Sequence, residues 1–449
     1  MDKKKELDLT EGIIWKQLLI FVWPVFVSNI FQRFYEITNQ LIVGNYVSRD
    51  ALSAVSSVSS ITMLFTQLFM GISLGAGIMA AYFYGARRTE KLKGVVESSL
   101  ILTVGGGVIS TAIIELLIPL LLKAINVNET LYPLALSYLR VYVLGNAAVF
   151  TYNMCFQILR SIGDTRKPLF YLVISSIINL VLGIIFVRVF NLSVIGTALA
   201  TIISQLVVDI LCIRVIARNP LFGVDLRRPR ADREILKEIC RIGIPAGIQN
   251  MTFSVSHLMI QSYINMFDNA TIAGIGVAEK VSSWVQVPLN ALNTINTAYI
   301  AQNYGAKKYD RVQEGIRTAL AIIVSITLLT AGGIYLVAEP LVAMFNRDPQ
   351  VIKVGCDMVR FVVFSFIGNA VSHIYNGACR ATGNVRVPLI LSVLSLAVVK
   401  YIVVAVWLNR SFDVRAIYYA TAVSCILAGT LSALYFHTSN WTRKNHLRA

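Results

Sequence analysis

Long apolar stretches alternate with short polar or charged segments along almost the whole chain. A helix that crosses a bilayer needs ~20 mostly apolar residues, and twelve stretches are long enough to form one. The predicted spans cover approximately residues 13–43, 51–82, 94–123, 131–159, 168–189, 192–217, 236–267, 271–300, 316–345, 351–378, 387–409 and 414–438. The pattern therefore predicts an all-α polytopic membrane protein with twelve transmembrane helices.

Composition supports this class. Of the 449 residues, 56% are hydrophobic and only 14% are charged, whereas a soluble domain is roughly one quarter charged. A soluble enzyme, a disordered chain and a disulfide scaffold are all excluded by these proportions. Twelve spans and their loops use the available length, so no sizeable domain outside the membrane is expected.

The distribution of Lys and Arg predicts the orientation, because cytoplasmic loops of membrane proteins are enriched in these residues. Most of them fall on one side of the predicted spans, which also holds both termini. We therefore expect cytosolic N- and C-termini in a cell-membrane protein whose first span is not cleaved. The net charge of +16 reflects this topology, and binding to nucleic acid is not expected.

Two segments recur at an offset of 220 residues. YGARRTEKLKGVVESSL (84–100) matches YGAKKYDRVQEGIRTAL (304–320), and RSIGDTRKP (160–168) matches RATGNVRVP (380–388). The repeat predicts two pseudo-symmetric lobes of six helices each, which have the same orientation across the membrane. They are residues 1–217 and residues 236–449, with a cytosolic basic linker at 218–235 between them. Parallel repeats of this kind form the two halves of some transporters, although a channel or scaffold could arise by the same duplication.

The repeated motifs resemble those of the multidrug and toxic compound extrusion (MATE) family over essentially the whole chain. The residues that carry the resemblance are P-x-x-x-S-N at 24–29, YEITNQLIVG at 35–44, YN at 152–153, R-x-x-G-D-x-x-x-P at 160–168, N-L-V-L-G at 179–183 and GTALAT at 196–201. The resemblance implies two six-helix lobes and export of amphipathic compounds in exchange for protons or sodium ions.

The chain departs from the family pattern at the positions associated with cation coupling. Asn39 stands where the first helix of the family carries Asp, and Gly183 stands where the fifth carries a second Asp. The Glu that some subgroups carry in the seventh helix is also absent from residues 245–257. Polar family positions that are retained are Tyr35, Asn153, Asn179 and Thr201. Coupling through a non-standard set of residues is therefore expected.

Ionisable residues inside the spans are the candidates for that set, since such residues are costly in a bilayer and are usually functional or paired. Arg33 and Glu36 lie three residues apart and share a helix face, so they could form a structural pair, or Glu36 could carry protons. In the repeat, His257 is equivalent to Glu36 at an offset of 221 residues, and His373 is equivalent to Asn153 at an offset of 220. A buried histidine satisfied by a serine or a carbonyl is the more ordinary reading of both. The other candidates, proposed for the wall of the C-lobe cavity, are Lys280 and Lys400. Asp209 and Glu115 also lie within spans.

Four further positions carry mechanical predictions. Pro24 and Pro245 lie inside the first and seventh helices at equivalent positions, where a missing N–H favours a kink, so we expect a hinge in each lobe. Gly71 and Gly75 form a G-x-x-x-G motif, which predicts close helix packing within the fold.

Together these features predict a secondary active antiporter that exports amphipathic small molecules by rocking of two lobes. A proton is the expected coupling ion in preference to sodium, with no cofactor and no metal site, and the protein is expected to act as a monomer. A lipid-linked saccharide flippase or a narrow-substrate metabolite exporter of the same superfamily is the alternative, and a receptor or channel is a more distant one. An intramembrane enzyme is not expected, because no nucleophile motif or metal-binding set is present. The charge of the substrate is left open.

Overall fold

A computed structural model describes residues 8–125, 127–225 and 227–439, and every regular element among them is helical. The helices are α1 (Ile14–Tyr46), α2 (Arg49–Gly85), α3 (Thr89–Ala124), α4 (Tyr132–Leu144), α5 (Asn146–Ser161), α6 (Arg166–Ile184), α7 (Ser193–Arg218), α8 (Arg233–Ile264), α9 (Asn269–Gly305), α10 (Tyr309–Leu336), α11 (Ala338–Ala343), α12 (Pro349–Val362), α13 (Phe366–Ala381), α14 (Arg386–Ser392), α15 (Lys400–Arg410) and α16 (Arg415–Thr438). Short π-helical segments follow α6 (Ile185–Val189) and α14 (Val393–Val399), and a 3₁₀ turn joins α12 to α13 (Val363–Ser365).

Each of the twelve predicted spans coincides with one helix or with two helices separated by a short break. Eight helices of the described chain are long and apolar enough to cross a membrane, and the α4–α5 pair, bent by 50° at Gly145, is a ninth candidate. The long helices α8 and α9 are not among these nine. They carry many polar residues, including the ionisable ones described below, which lowers their mean hydropathy.

The described residues divide into two compact units. The first contains Asp8 and Val27–Gly247, and the second contains Leu9–Phe26 and residues 248–439. This division differs from the predicted lobe boundaries, because residues 9–26 belong to the unit built mainly from the second half of the chain, and residues 218–247 to the other. The chain passes from one unit to the other inside α1 and inside α8, in each case within three residues of Pro24 or Pro245.

In the first unit, α2, α3 and α4 pack around a buried apolar cluster of Ala54, Val58, Ile61, Ile114, Ile118, Leu122, Ala135, Leu139 and Val143. Further along α2, Gly71 and Gly75 lie directly against Gly243 and Gly247 of α8. A Cβ atom on Gly71 would lie 2.1 Å from the backbone nitrogen of Gly247, so only glycine permits this approach. The predicted close packing at Gly71 and Gly75 is confirmed, and its partner is a second G-x-x-x-G motif.

The linker before α8 is held to the first unit by a buried carboxylate. Glu97 of α3 is only 4% exposed, and its two oxygens accept the backbone N–H groups of Asp225 (3.2 Å) and Arg230 (3.1 Å). The neighbouring Ser98 hydroxyl accepts the N–H of Asp232 at 3.0 Å. These bonds fix the segment that leads into α8, and we refer to Glu97 and Ser98 as the linker anchor.

The segment before α1 is held to the second unit in an equivalent way but with the opposite polarity. The side chain of Asn303 donates to the carbonyl of Leu9 at 3.2 Å, and Lys308 Nζ donates to the carbonyl of Thr10 at 2.9 Å. Arg311 donates to the carbonyl of Gly12 at 3.1 Å. Cations and an amide here bind backbone carbonyls, whereas a carboxylate binds backbone N–H groups in the linker anchor.

The ends of α2 and α9 place non-glycine residues in the left-handed region, with φ at +55° for Arg87 and +58° for Lys307. At this position after a helix a glycine is preferred, because left-handed φ costs L-residues about 1–2 kcal/mol. We expect Lys307→Gly to raise the stability by ~0.5–1 kcal/mol after the greater chain entropy of glycine is subtracted, measured as a higher Tm in detergent. Lys307→Ala keeps the Cβ atom and should give no gain. An equal rise in both variants would show that the lysine side chain, not the backbone, is unfavourable.

Candidate functional site

The predicted site residues of the first unit lie on α1, α5, α6 and α7. The side chain of Asn179 on α6 donates to the hydroxyl of Thr201 on α7 at 3.2 Å, and that hydroxyl in turn donates to the carbonyl of Thr197 at 3.0 Å. Asn179 and Thr201 are both buried. The structure thus brings together two of the family positions that the sequence identified.

Two other predicted residues of this unit are not joined to that pair. Asn153 on α5 donates to the carbonyl of Val149 in its own helix at 2.7 Å, and Asn39 is half-buried on α1. Tyr35 and Glu36 also belong to α1, but their side chains lie outside the part of the chain that the structure describes. The predicted roles of Tyr35 and Glu36 therefore stay predictions.

In the second unit, an ionisable pair joins α8 to α9. Nδ1 of His257 lies 3.5 Å from Oε1 of Glu279, with the side chains 52% and 33% exposed. Lys400, at the start of α15, interacts electrostatically with both residues. Electrostatic interaction thus links an imidazole, a carboxylate and an ammonium group, and we call His257, Glu279 and Lys400 the C-unit triad.

The two remaining predicted residues of this unit are outside the triad. Lys280 is exposed, and its Nζ lies 5.9 Å from the ring centre of Phe345. Adjacent residues on a helix point ~100° apart, so Lys280 points away from His257 when Glu279 points toward it. His373 is half-buried on α13 and interacts electrostatically with Arg380.

Sequence reasoning did not assign a role to Glu279, although it lies in a predicted span. Its pairing with His257 could not be predicted, because His257 lies on another helix and the register between α8 and α9 cannot be derived from residue spacing. Two features of the sequence pointed to this region: Glu279 is an acid inside a predicted span, and His257 occupies the position equivalent to Glu36 in the repeat.

Comparison with known proteins places this architecture in a family. The MatE family model matches the chain twice, at residues 24–185 and 245–406, which also confirms the internal repeat. Bacillus subtilis "Probable multidrug resistance protein YoeA" is 27% identical over 393 residues, covering 85% of this chain and 84% of that protein. "Multidrug export protein MepA" of Staphylococcus aureus is 22% identical over 425 residues, covering 93% of both.

Solved structures share the fold. A structure described as the outward-facing conformation of a multidrug resistance MATE family transporter superposes with a TM-score of 0.90 at 21% identity, covering 97% of this chain and 98% of that one. A transporter of the MOP superfamily from Pyrococcus furiosus superposes with the same score at 22% identity and the same coverage. The predicted fold class, an all-α membrane protein with twelve transmembrane helices in two lobes, is confirmed. Since the family model matches well over half of its residues in two tandem copies, the chain belongs to the MatE family.

Proposed function

We propose that the protein exports amphipathic small molecules from the cell as a secondary active antiporter driven by protons. The names of the relatives, which include a multidrug export protein, support the substrate class. Rocking of the two units about Pro24 and Pro245 exposes the substrate site alternately to the two sides of the membrane. The excess of Lys and Arg on one side of the spans supports cytosolic termini in the cell membrane.

The observation that carries proton coupling is the pair of His257 and Glu279, which joins α8 to α9. An unperturbed imidazole titrates near ~6.5, within reach of the pH on both sides of a cell membrane. Protonation turns the pair into an ion pair, and loss of the proton leaves Glu279 with Lys400 as its cationic neighbour. The triad can thus hold a proton in one conformation and release it in the other, which replaces the family carboxylates missing at Asn39 and Gly183.

Transport assays in proteoliposomes test this proposal. We expect dye transport by the wild type to stop when the proton gradient is collapsed and to continue when the sodium gradient is collapsed. Glu279→Gln should abolish proton-driven transport while leaving dye binding at equilibrium intact, because the neutral amide cannot stabilise the charged imidazole. Asp357→Asn, which neutralises an exposed acid on α12 of the same unit, should transport normally.

Three results would contradict parts of the proposal. Transport that follows the sodium gradient would make the assignment of the proton wrong. Normal proton-driven transport by Glu279→Gln, together with its loss in Glu36→Gln, would move the coupling site to α1. Transport that ignores both gradients would favour a flippase.

A further inference from the structure

The first unit contains a buried acidic residue that the C-unit triad leaves unexplained. Asp209 on α7 is 4% exposed, and its Oδ1 atom is buried without a hydrogen-bond partner in the described structure. A carboxylate in this position is costly as an anion, because it is almost completely buried in the membrane-spanning part of α7.

The surroundings of Asp209 contain no compensating cation among the described residues. On α5 its neighbour is Cys155, and on α7 itself it is Cys212, which also interacts with Tyr171 of α6. Helix α2 has no charged residue between Ala51 and Gly85. The cations of the packed elements are engaged elsewhere. Arg140 of α4 lies 3.0 Å from Glu115, Arg188 of the π-helical segment after α6 lies 5.8 Å from the ring centre of Tyr46, and Arg160 of α5 lies 5.7 Å from the ring centre of Phe156.

Asp209 continues a line of polar residues that begins at the Asn179–Thr201 pair. Thr201, Gln205 and Asp209 are spaced four residues apart, so they share a face of α7 and each step rises ~6 Å. Like Oδ1 of Asp209, Oε1 of Gln205 is buried and has no hydrogen-bond partner in the described structure. Both oxygens can therefore accept a hydrogen bond along the side of α7 that leads toward Arg218, and the carboxylate of Asp209 can in addition take up a proton.

The second repeat lacks this line. The segment ATIIS at 200–204 corresponds to ATAVS at 420–424, so Gln205 corresponds to Cys425 and Asp209 to Gly429. Gly429 is packed against the carbonyl oxygen of Gly368, where an added Cβ would lie 2.4 Å away. The shared fold therefore does not require an acid at this position, and the acid is a property of the first unit alone.

We propose that Asp209 is a second proton-binding site, connected through Gln205 to the Asn179–Thr201 pair. Asp209 takes a proton from hydronium on the Arg218 side and returns it to water when the unit changes conformation. A proton fits better than a metal cation, because one carboxylate between two thiols offers too few oxygen ligands for a hard cation. The inference rests on the proposed proton-driven antiport for its role in transport, but not for the protonation itself.

Infrared titration of the full-length protein in detergent tests the protonation without any transport. We expect the wild type to show the C=O band of a protonated carboxyl that titrates with pH, and Asp209→Asn to lose it. Asp209→Glu should keep such a band. Glu115→Gln is the matched control: it removes another carboxyl within the membrane, one that is already paired with Arg140, and should leave the band unchanged. A band that survives in Asp209→Asn would overturn the proposal.

Proteoliposomes test the role in transport. We expect Asp209→Asn to reduce proton-driven dye transport to the level of protein-free vesicles while dye binding persists, and Gln205→Leu to slow transport while keeping the infrared band. Unchanged proton-driven transport in Asp209→Asn would overturn the proposal. Failure of the wild type to respond to a proton gradient would instead contradict the proposed antiport, and the infrared result would still decide whether Asp209 binds a proton.

Discussion

Gly71→Val is expected to destabilise the protein by at least about 3 kcal/mol, because overpacking of a tight contact typically costs ~1–3 kcal/mol and here the obstacle is backbone. The first added atom alone would lie 2.1 Å from the nitrogen and 2.2 Å from the Cα atom of Gly247. No side-chain rotation relieves this clash, so α2 and α8 must separate. A large fall in Tm and a loss of monodisperse protein in detergent are the expected results.

The control for this prediction is Gly105→Val on α3. An added Cβ there meets nothing within 4 Å, so we expect a change within about 0.5 kcal/mol, as for ordinary surface substitutions. Equal Tm values for Gly71→Val and the wild type would mean that the two G-x-x-x-G motifs do not contact each other in the protein.

Glu97→Ala is expected to release the linker from the first unit. The carboxylate accepts two backbone N–H groups, and hydrogen bonds to a charged group contribute roughly 1.5–3 kcal/mol each, so the loss should exceed that of a single bond. We expect a lower Tm and faster trypsin cleavage after Arg227, since proteolysis reports how often a segment opens. Release of this segment also frees the start of α8, so transport should fall together with the resistance to trypsin.

Glu90→Ala provides the comparison, because Glu90 is an exposed acid at the start of the same helix. Its removal should leave both Tm and the trypsin cleavage rate near those of the wild type. If Glu97→Ala resisted trypsin as well as the wild type does, the linker would be held in place by its own backbone and not by the linker anchor.

Much of the architecture was predictable from the sequence. Apolar length predicted the twelve segments, the 220-residue offset predicted the duplication, and local motifs identified Asn179 and Thr201, which the structure joins. These features are local, or they repeat at a fixed spacing, so residue patterns report them directly. The break at Gly145 was not predicted, because both α4 and α5 are apolar and the stretch looks continuous.

The contacts between helices could not be obtained in this way. The pairing of His257 with Glu279, and of Gly71 with Gly247, depends on which faces of two helices meet. The register between two helices is determined by packing over the whole unit, so it cannot be predicted from residue spacing. The same holds for Oδ1 of Asp209, which has no hydrogen-bond partner among the described residues, because the presence or absence of a partner depends on every element packed around it.

The exchange of half-helices between the units bears on how the molecule could have arisen. Residues 9–26 complete the unit made mainly by the second repeat, and residues 233–247 complete the other. An ancestor with a single repeat and this arrangement would have lacked the leading half-helix of its own unit. Two copies would have had to exchange these half-helices, as in a domain-swapped homodimer. Gene fusion would then have joined the swapped copies through the linker. By the same reasoning, the two halves of the chain expressed separately should be stable only when both are present in one cell.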